Sequence, residues 1–176
     1  IAQHLLERRS ELDDRHCFHL VRAGQLDAIV DVPQQRVLVR DGLQSRGLEN
    51  AAWLSRPASA NSAPPGFAVW SMEELAWLFA QHNQVIDLPE RYLKLPIYLR
   101  QAPQVRPSMI NARQVELLEL LAQEPCEYPR LATVFSQHAL LQHDLYMLFA
   151  CRAITTSPKR AGVPVVNLHA SQPPTT

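Results

Sequence analysis

Residues 108–168 read SMINARQVELLELLAQEPCEYPRLATVFSQHALLQHDLYMLFACRAITTSPKRAGVPVVNL, and this stretch decides the fold of the C-terminal third of the chain. Asn111 is a favourable helix N-cap, and Gln114 stands at the third helical position, where its side chain can complete a capping box. Leucines at helical spacing follow, so the sequence predicts a first helix that ends near Gln123.

Two further helices and a pair of strands follow in the same stretch. The second helix is predicted to start at Pro129, a residue that suits a first helical turn. After a three-residue turn, the third helix is predicted over 139–152. The segments 153–156 and 163–168 have the composition of short strands that could pair around the intervening turn.

This order of helix, short helix, turn, helix and hairpin resembles the winged-helix superfamily. The resemblance covers about 60 residues and rests on the pattern of elements, without a diagnostic motif; the alternative is a small three-helix cluster with an irregular tail. Members of the superfamily include DNA-binding regulators, whose third helix enters the major groove, and modules that bind only proteins. The resemblance therefore leaves both roles open.

The third predicted helix argues against base reading. At 100° per residue its leucines share one face, and the opposite face carries Ala139, His143, Tyr146, Met147 and Ala150. That face lacks the Arg, Lys, Asn and Gln side chains that make most contacts with DNA. We therefore predict a protein-interaction surface formed by His143, Tyr146, Met147 and Ala150. Burial of Tyr146 and Met147 under the N-terminal part of the chain is the alternative.

The charge of this stretch also favours protein binding over DNA binding. Residues 108–168 contain five basic and five acidic side chains, whereas DNA-binding domains gain affinity by neutralising several phosphates. Lys159 and Arg160, at the tip of the predicted wing, are the candidates for phosphate contact in the DNA-binding alternative. A solvated turn would also carry such residues.

The N-terminal part is predicted to be an α+β unit over residues 1–107. A charge-rich helix is expected at 2–15, followed by a strand near 17–22. Alternating and β-branched residues predict a hairpin with strands at 26–32 and 36–41.

A flexible loop is predicted at about 42–66, because Ser, Ala, Asn, Pro and Gly dominate its second half. Within it, Trp53-Leu54 could anchor the loop to the body or serve as a docking peptide. Ser71 and Glu74 form a capping box that predicts a helix over 71–82. Alternating residues predict an edge strand within 93–100, and the prolines of 101–107 mark the predicted domain boundary.

Composition excludes several classes of function. Lys+Arg and Asp+Glu both number 17, so no global charge attracts nucleic acid or an anionic membrane. No apolar run approaches the roughly 18 residues of a membrane-spanning helix. Three cysteines without short spacing favour reduced thiols and a cytoplasmic location.

Catalytic and metal-binding signatures are absent from the sequence. It contains no nucleophile elbow, phosphate loop, dinucleotide fingerprint or zinc-protease motif. His16, Cys17 and His19 are the densest group of potential metal ligands, but no second pair of matching spacing accompanies them. The sequence therefore predicts no cofactor and no metal site. An enzyme without a recognisable motif remains a third hypothesis.

Together these observations predict an α+β protein: an N-terminal unit with a β-hairpin and helices, a winged-helix-like module at 108–168, and a disordered tail at 169–176. The predicted function is that of a non-enzymatic regulatory or adaptor protein that binds a protein partner or itself. A DNA-binding transcriptional regulator with an N-terminal sensor or dimerisation unit is the alternative.

Overall fold

The structure is a computed structural model that describes residues 15–43, 51–62, 64–82 and 87–162. In these ranges the chain has mixed α+β structure, with a five-stranded sheet, five α-helices and a two-stranded sheet. The strand predicted at 163–168, the tail at 169–176 and all but the last residue of the helix predicted at 2–15 lie outside the described residues.

The five-stranded sheet is antiparallel throughout and has the order β4-β1-β2-β3-β5. Its strands are β1 (His16–Arg22), β2 (Gln25–Asp31), β3 (Arg36–Arg40), β4 (Ala52–Pro57) and β5 (Phe67–Ser71).

The three strands predicted in the N-terminal part are confirmed. Alternation along β2 places Ala28 and Val30 in the apolar cluster on one sheet face, while Ile29 belongs to a smaller cluster with Cys17. Ala23 and Gly24 join β1 to β2 with φ values of 49° and 77°. Positive φ at both central residues is typical of the type I′ turn, whose twist matches that of the two strands.

The prediction of a loop at about 42–66 is wrong for residues 52–57, which form the strand β4. This strand pairs with β1, so that Trp53 lies opposite Leu20, and its ring lies 6.0 Å from that of Phe18. An edge strand pairs on one side only and keeps one solvated face, so it tolerates small and polar residues. Such residues led to the prediction of a loop here. Trp53 thus anchors this segment to the sheet.

The helix predicted at 71–82 is confirmed as α1 (Met72–His82). Its capping box forms as expected: the Glu74 amide donates to Ser71 Oγ, and the Ser71 amide donates to Glu74 Oε2, both at 3.0 Å. The start of α1 is therefore fixed directly after β5.

Helix α1 has two apolar faces. Leu75 and Phe79 belong to the cluster that covers the five-stranded sheet, whereas Trp77 and Ala80 belong to a second cluster formed with the C-terminal helices. One helix thereby joins the two hydrophobic cores.

The predicted boundary segment 101–107 is bonded to the start of α1. Arg106 donates from its backbone amide and its Nε to Glu74 Oε1, at 3.2 and 2.8 Å, and Ser71 Oγ donates to the Gln104 carbonyl at 2.7 Å. The Arg106 guanidinium also lies 4.8 Å from the centre of the Trp70 ring. These hydrogen bonds attach the segment 101–107 to the N-terminal end of α1. The division of the chain into two domains at this segment stays a prediction.

The strand predicted within 93–100 is only partly correct. Residues Arg91–Lys94 form a short helix, α2, and Tyr98–Leu99 form the strand β6. Helical backbone bonds begin at Pro89, whose carbonyl accepts from the Tyr92 amide at 2.9 Å. Proline and glutamate favour a first helical turn, and this local preference overrides the alternation that follows.

The three C-terminal helices agree with the sequence prediction. They are α3 (Ala112–Gln123), α4 (Tyr128–Val134) and α5 (His138–Ala150). The capping box of Asn111 and Gln114 is present at the start of α3.

After α5, the strand β7 (Ile154–Thr155) pairs antiparallel with β6, a segment that precedes the predicted module. Its predicted partner, 163–168, lies outside the described residues, so the winged-helix resemblance stays a prediction.

The face of α5 that the sequence predicts to be exposed is covered by α1. Tyr146, Met147 and Ala150 are 1%, 2% and 0% exposed, and they share the second cluster with Trp77 and Ala80. His143 is half-buried and its Nε2 lies 2.9 Å from the Ala80 carbonyl. Of the two alternatives that the sequence left open for Tyr146 and Met147, the structure shows burial, because α1 packs along this side of α5.

We expect Tyr146→Asp to unfold the protein, because the substitution would place a carboxylate in an apolar site, at a cost of several kcal/mol. Tyr146→Phe, which keeps the ring, should remain folded. Urea denaturation followed by circular dichroism measures both variants. An Asp variant as stable as the parent would show that α1 does not cover this face in solution.

Candidate functional site: a basic cleft

The antiparallel pairing of β6 and β7 brings two distant parts of the sequence together. The Arg100 amide donates to the Ala153 carbonyl at 2.7 Å, and the Gly162 amide donates to the Leu99 carbonyl at 2.9 Å. The segments 91–100 and 152–161 thus both contribute to the lining of one cleft, and we call these two segments its walls.

We call this concavity the basic cleft. Its volume is about 990 Å³. Five cationic side chains line it, and no Asp or Glu is among its lining residues; the five are Arg91, Arg100, Arg152, Lys159 and Arg160. All five are exposed. Clustered cations on low-dielectric walls focus a positive potential that attracts anions.

The lining also contains hydroxyl groups and an aromatic floor. Thr155 Oγ1 accepts a hydrogen bond from the Ser157 amide at 3.1 Å. At the floor, the rings of Tyr92 and Phe149 meet edge to face, with centres 5.4 Å apart. Tyr92 is buried and its hydroxyl donates to the Ile154 carbonyl at 3.3 Å, so this phenol has a structural role.

The positive charges of the walls act on this phenol. Burial raises the pKa of Tyr92, and the charges of Arg91 and Arg100 partly offset that rise. The Arg91 guanidinium also lies 5.3 Å from the centre of the Tyr92 ring, within cation–π distance.

Arg152 occupies an unusual backbone position. Directly after the C-cap of α5 it adopts φ 60°, and its amide donates to the Phe149 carbonyl at 3.0 Å while the next amide, of Ala153, donates to Leu148 at 2.8 Å. Helices commonly end with a left-handed residue of this kind, and glycine is the usual choice because it has no Cβ. Here a long cation occupies the position and lines the cleft.

Several other charged groups in the described ranges form ion pairs within the protein. Asp27 receives hydrogen bonds from Arg22 and Arg40 at 3.0 and 2.7 Å on the sheet. Asp144 on α5 is 1% exposed and accepts from Arg113 at 2.5 Å and from Gln114 at 2.9 Å. Both carboxylate oxygens of Asp144 thus accept hydrogen bonds within the protein, so this carboxylate is not a candidate ligand-binding group. The lining of the basic cleft contains five cationic residues and no Asp or Glu.

Histidine and cysteine form no reactive centre in the described ranges. His19 Nε2 lies 2.7 Å from the Ala60 carbonyl, and burial raises the pKa of the Cys17 and Cys126 thiols, which weakens them as nucleophiles. Where the chain is described, no three His, Cys, Asp or Glu side chains converge as a metal ion would require.

The structure brings two of the predicted site residues together with three that sequence reasoning missed. Lys159 and Arg160 lie in the short 3₁₀ helix Pro158–Arg160 and line the basic cleft. The pairing of β6 with β7 brings Arg91 and Arg100 to them, whereas Arg152 belongs to the same segment as Lys159 and Arg160. The predicted protein-interaction residues His143, Tyr146, Met147 and Ala150 lie outside the cleft, along the contact of α5 with α1.

No protein-family model, no curated protein and no solved structure matches this chain. None of the helices in the described ranges has the length and apolarity needed to cross a bilayer.

Replacing Arg152 tests the backbone strain at the rim of the cleft. Arg152→Gly and Arg152→Ala both remove the cation, but only glycine removes the Cβ. We expect the glycine variant to be more stable than the alanine variant by about 1 kcal/mol, measured as the free energy of unfolding in urea. Equal stabilities would mean that the left-handed conformation carries no cost.

Gly162 tests how closely the two walls approach. A Cβ at this position would lie 2.5 Å from the Arg100 carbonyl oxygen, which belongs to the backbone. We expect Gly162→Ala to destabilise the protein by about 1–3 kcal/mol, because the walls must separate. Amide chemical shifts should change at residues 99–101 and 158–162. Unchanged shifts there would contradict the close approach.

Proposed function

We propose that this chain is a non-enzymatic regulatory protein that binds nucleic acid through phosphate contacts in the basic cleft. One observation carries the proposal: five cations converge on a cleft whose lining has no carboxylate. Arg and Lys supply most contacts to the phosphate backbone, and each phosphate they neutralise releases counterions.

The zero net charge of the whole chain makes the local excess of cations in the cleft stronger support for a binding site. Lys+Arg and Asp+Glu are equal at 17 each, so the chain has no general attraction for polyanions. A local excess of five positive charges in such a background points to a dedicated binding site.

The contact we propose differs from major-groove reading. Tyr146, Met147 and Ala150 are buried against other helices. This side of α5 therefore cannot enter the major groove of DNA while α1 is in place. Backbone contact through Arg91, Arg100 and the segment 152–160 needs no such rearrangement.

Binding of a protein partner through His143, Tyr146, Met147 and Ala150 stays a hypothesis that would require α1 to leave α5. Location in the cytoplasm likewise stays a prediction, based on three cysteines that are buried as reduced thiols.

Fluorescence anisotropy with labelled single-stranded and double-stranded oligonucleotides tests the proposal across a salt series. We expect affinity to fall as salt rises, with a slope of about 0.7–0.9 for each phosphate neutralised. Arg160→Gln should reduce that slope by about one contact, because it removes one cation from the cleft.

Arg56→Gln is the matched control. Arg56 is an exposed arginine on β4 and is not among the lining residues of the cleft, so the same loss of charge should leave the slope unchanged. Absence of binding at low salt, or an equal effect of both variants, would overturn the proposal.

A further inference from the structure

We infer that the basic cleft binds single-stranded nucleic acid in preference to a duplex. This inference rests on the proposed function and specifies the ligand. It draws on the shape of the cleft, on its aromatic floor, and on the position of Arg152 relative to Phe149.

The shape of the site favours a single strand. A duplex carries its phosphates on the outside of a rod, and proteins that read it insert a protruding helix or ribbon into a groove about 12 Å wide. Here the cations line a concavity of about 990 Å³, with Arg91 and Arg100 from one segment and Lys159 and Arg160 from the other. A single strand can enter such a concavity, whereas the convex surface of a duplex would contact only its rim.

The floor of the cleft supplies an apolar surface of the kind that bases use. Phe149 is half-buried, lines the cleft and makes an edge-to-face contact with Tyr92. Proteins that bind single strands combine a positive groove with aromatic rings on which bases stack. In a duplex the bases are already stacked and paired, so this surface would be unused.

Arg152 and Phe149 lie three positions apart in sequence, and both line the cleft. The Arg152 amide donates to the Phe149 carbonyl, and the left-handed backbone at Arg152 begins the wall of the cleft immediately after α5. A cation and an aromatic ring in the lining of one cleft match the repeating unit of a single strand, in which one phosphate accompanies one unpaired base. We therefore assign the phosphate contact to Arg152 and the base contact to Phe149.

Anisotropy titrations of the full chain with three probes test this assignment. The probes are a labelled oligothymidylate of about 12 nucleotides, within the site sizes known for single-strand binders, a duplex of the same length, and inorganic polyphosphate as an unlabelled competitor. We expect the single strand to bind at least about tenfold more tightly than the duplex at the same salt concentration.

Two variants separate the base contact from the phosphate contact. Phe149→Leu should weaken binding of the single strand about tenfold, because the stacking surface is lost. Polyphosphate should bind the variant as tightly as it binds the parent, because the cations are unchanged. Phe149→Tyr should restore most of that loss. Arg152→Gly should weaken binding of both ligands and lower the salt slope, which a purely structural residue would not do.

The outcomes distinguish this inference from the proposed function. A duplex that binds as tightly as the single strand would overturn the inference and leave the proposed function standing. The same holds if Phe149→Leu, folded by circular dichroism, binds the single strand as the parent does. If none of the three probes binds at low salt, the proposed function itself fails.

Discussion

The contact between α1 and α5 is the constraint on which the rest of the structure depends. Helix α1 presents Leu75 and Phe79 to the five-stranded sheet and Trp77 and Ala80 to the C-terminal helices. Neither core could close without it, because each would leave a face of apolar side chains in water. The same contact buries Tyr146 and Met147, and so removes from solvent the side of α5 that a groove-reading helix would use. The position of one amphipathic helix thus bears on which kinds of ligand the C-terminal part can accept.

The second organising feature is the short sheet of β6 and β7. It contains only four residues, yet it decides that Arg100 lies beside Ala153 and that Gly162 lies against the Arg100 carbonyl. Charges that are up to 69 positions apart in sequence, such as Arg91 and Arg160, therefore line a single cleft. Electrostatic focusing arises from this geometry, since the chain as a whole carries no net charge.

Much of the fold could be predicted from local patterns. The alternation in β2, the capping boxes at Ser71 and Asn111, and the periodic leucines of α3 each specify structure within a few residues. Strand β4 could not be recognised in this way, because pairing with β1, and not its own composition, makes it a strand. The exposure of α5 was likewise beyond local reasoning, since helical periodicity shows which residues share a face but not which element covers it. For the candidate site, Lys159 and Arg160 were visible in the sequence as a turn with two charges. Their association with Arg91 and Arg100 depends on long-range pairing, which no local pattern records.

The left-handed backbone at Arg152 also bears on how this chain would change in evolution. Selection for folding alone favours glycine at such a position, because glycine adopts it without steric cost. An arginine there is expected to persist only where its side chain contributes something that stability does not. In lineages that no longer use the cleft, residue 152 should drift towards glycine or asparagine while the flanking helix and strand are retained. The identity of this one residue in natural variants would then record whether the cleft is still under selection.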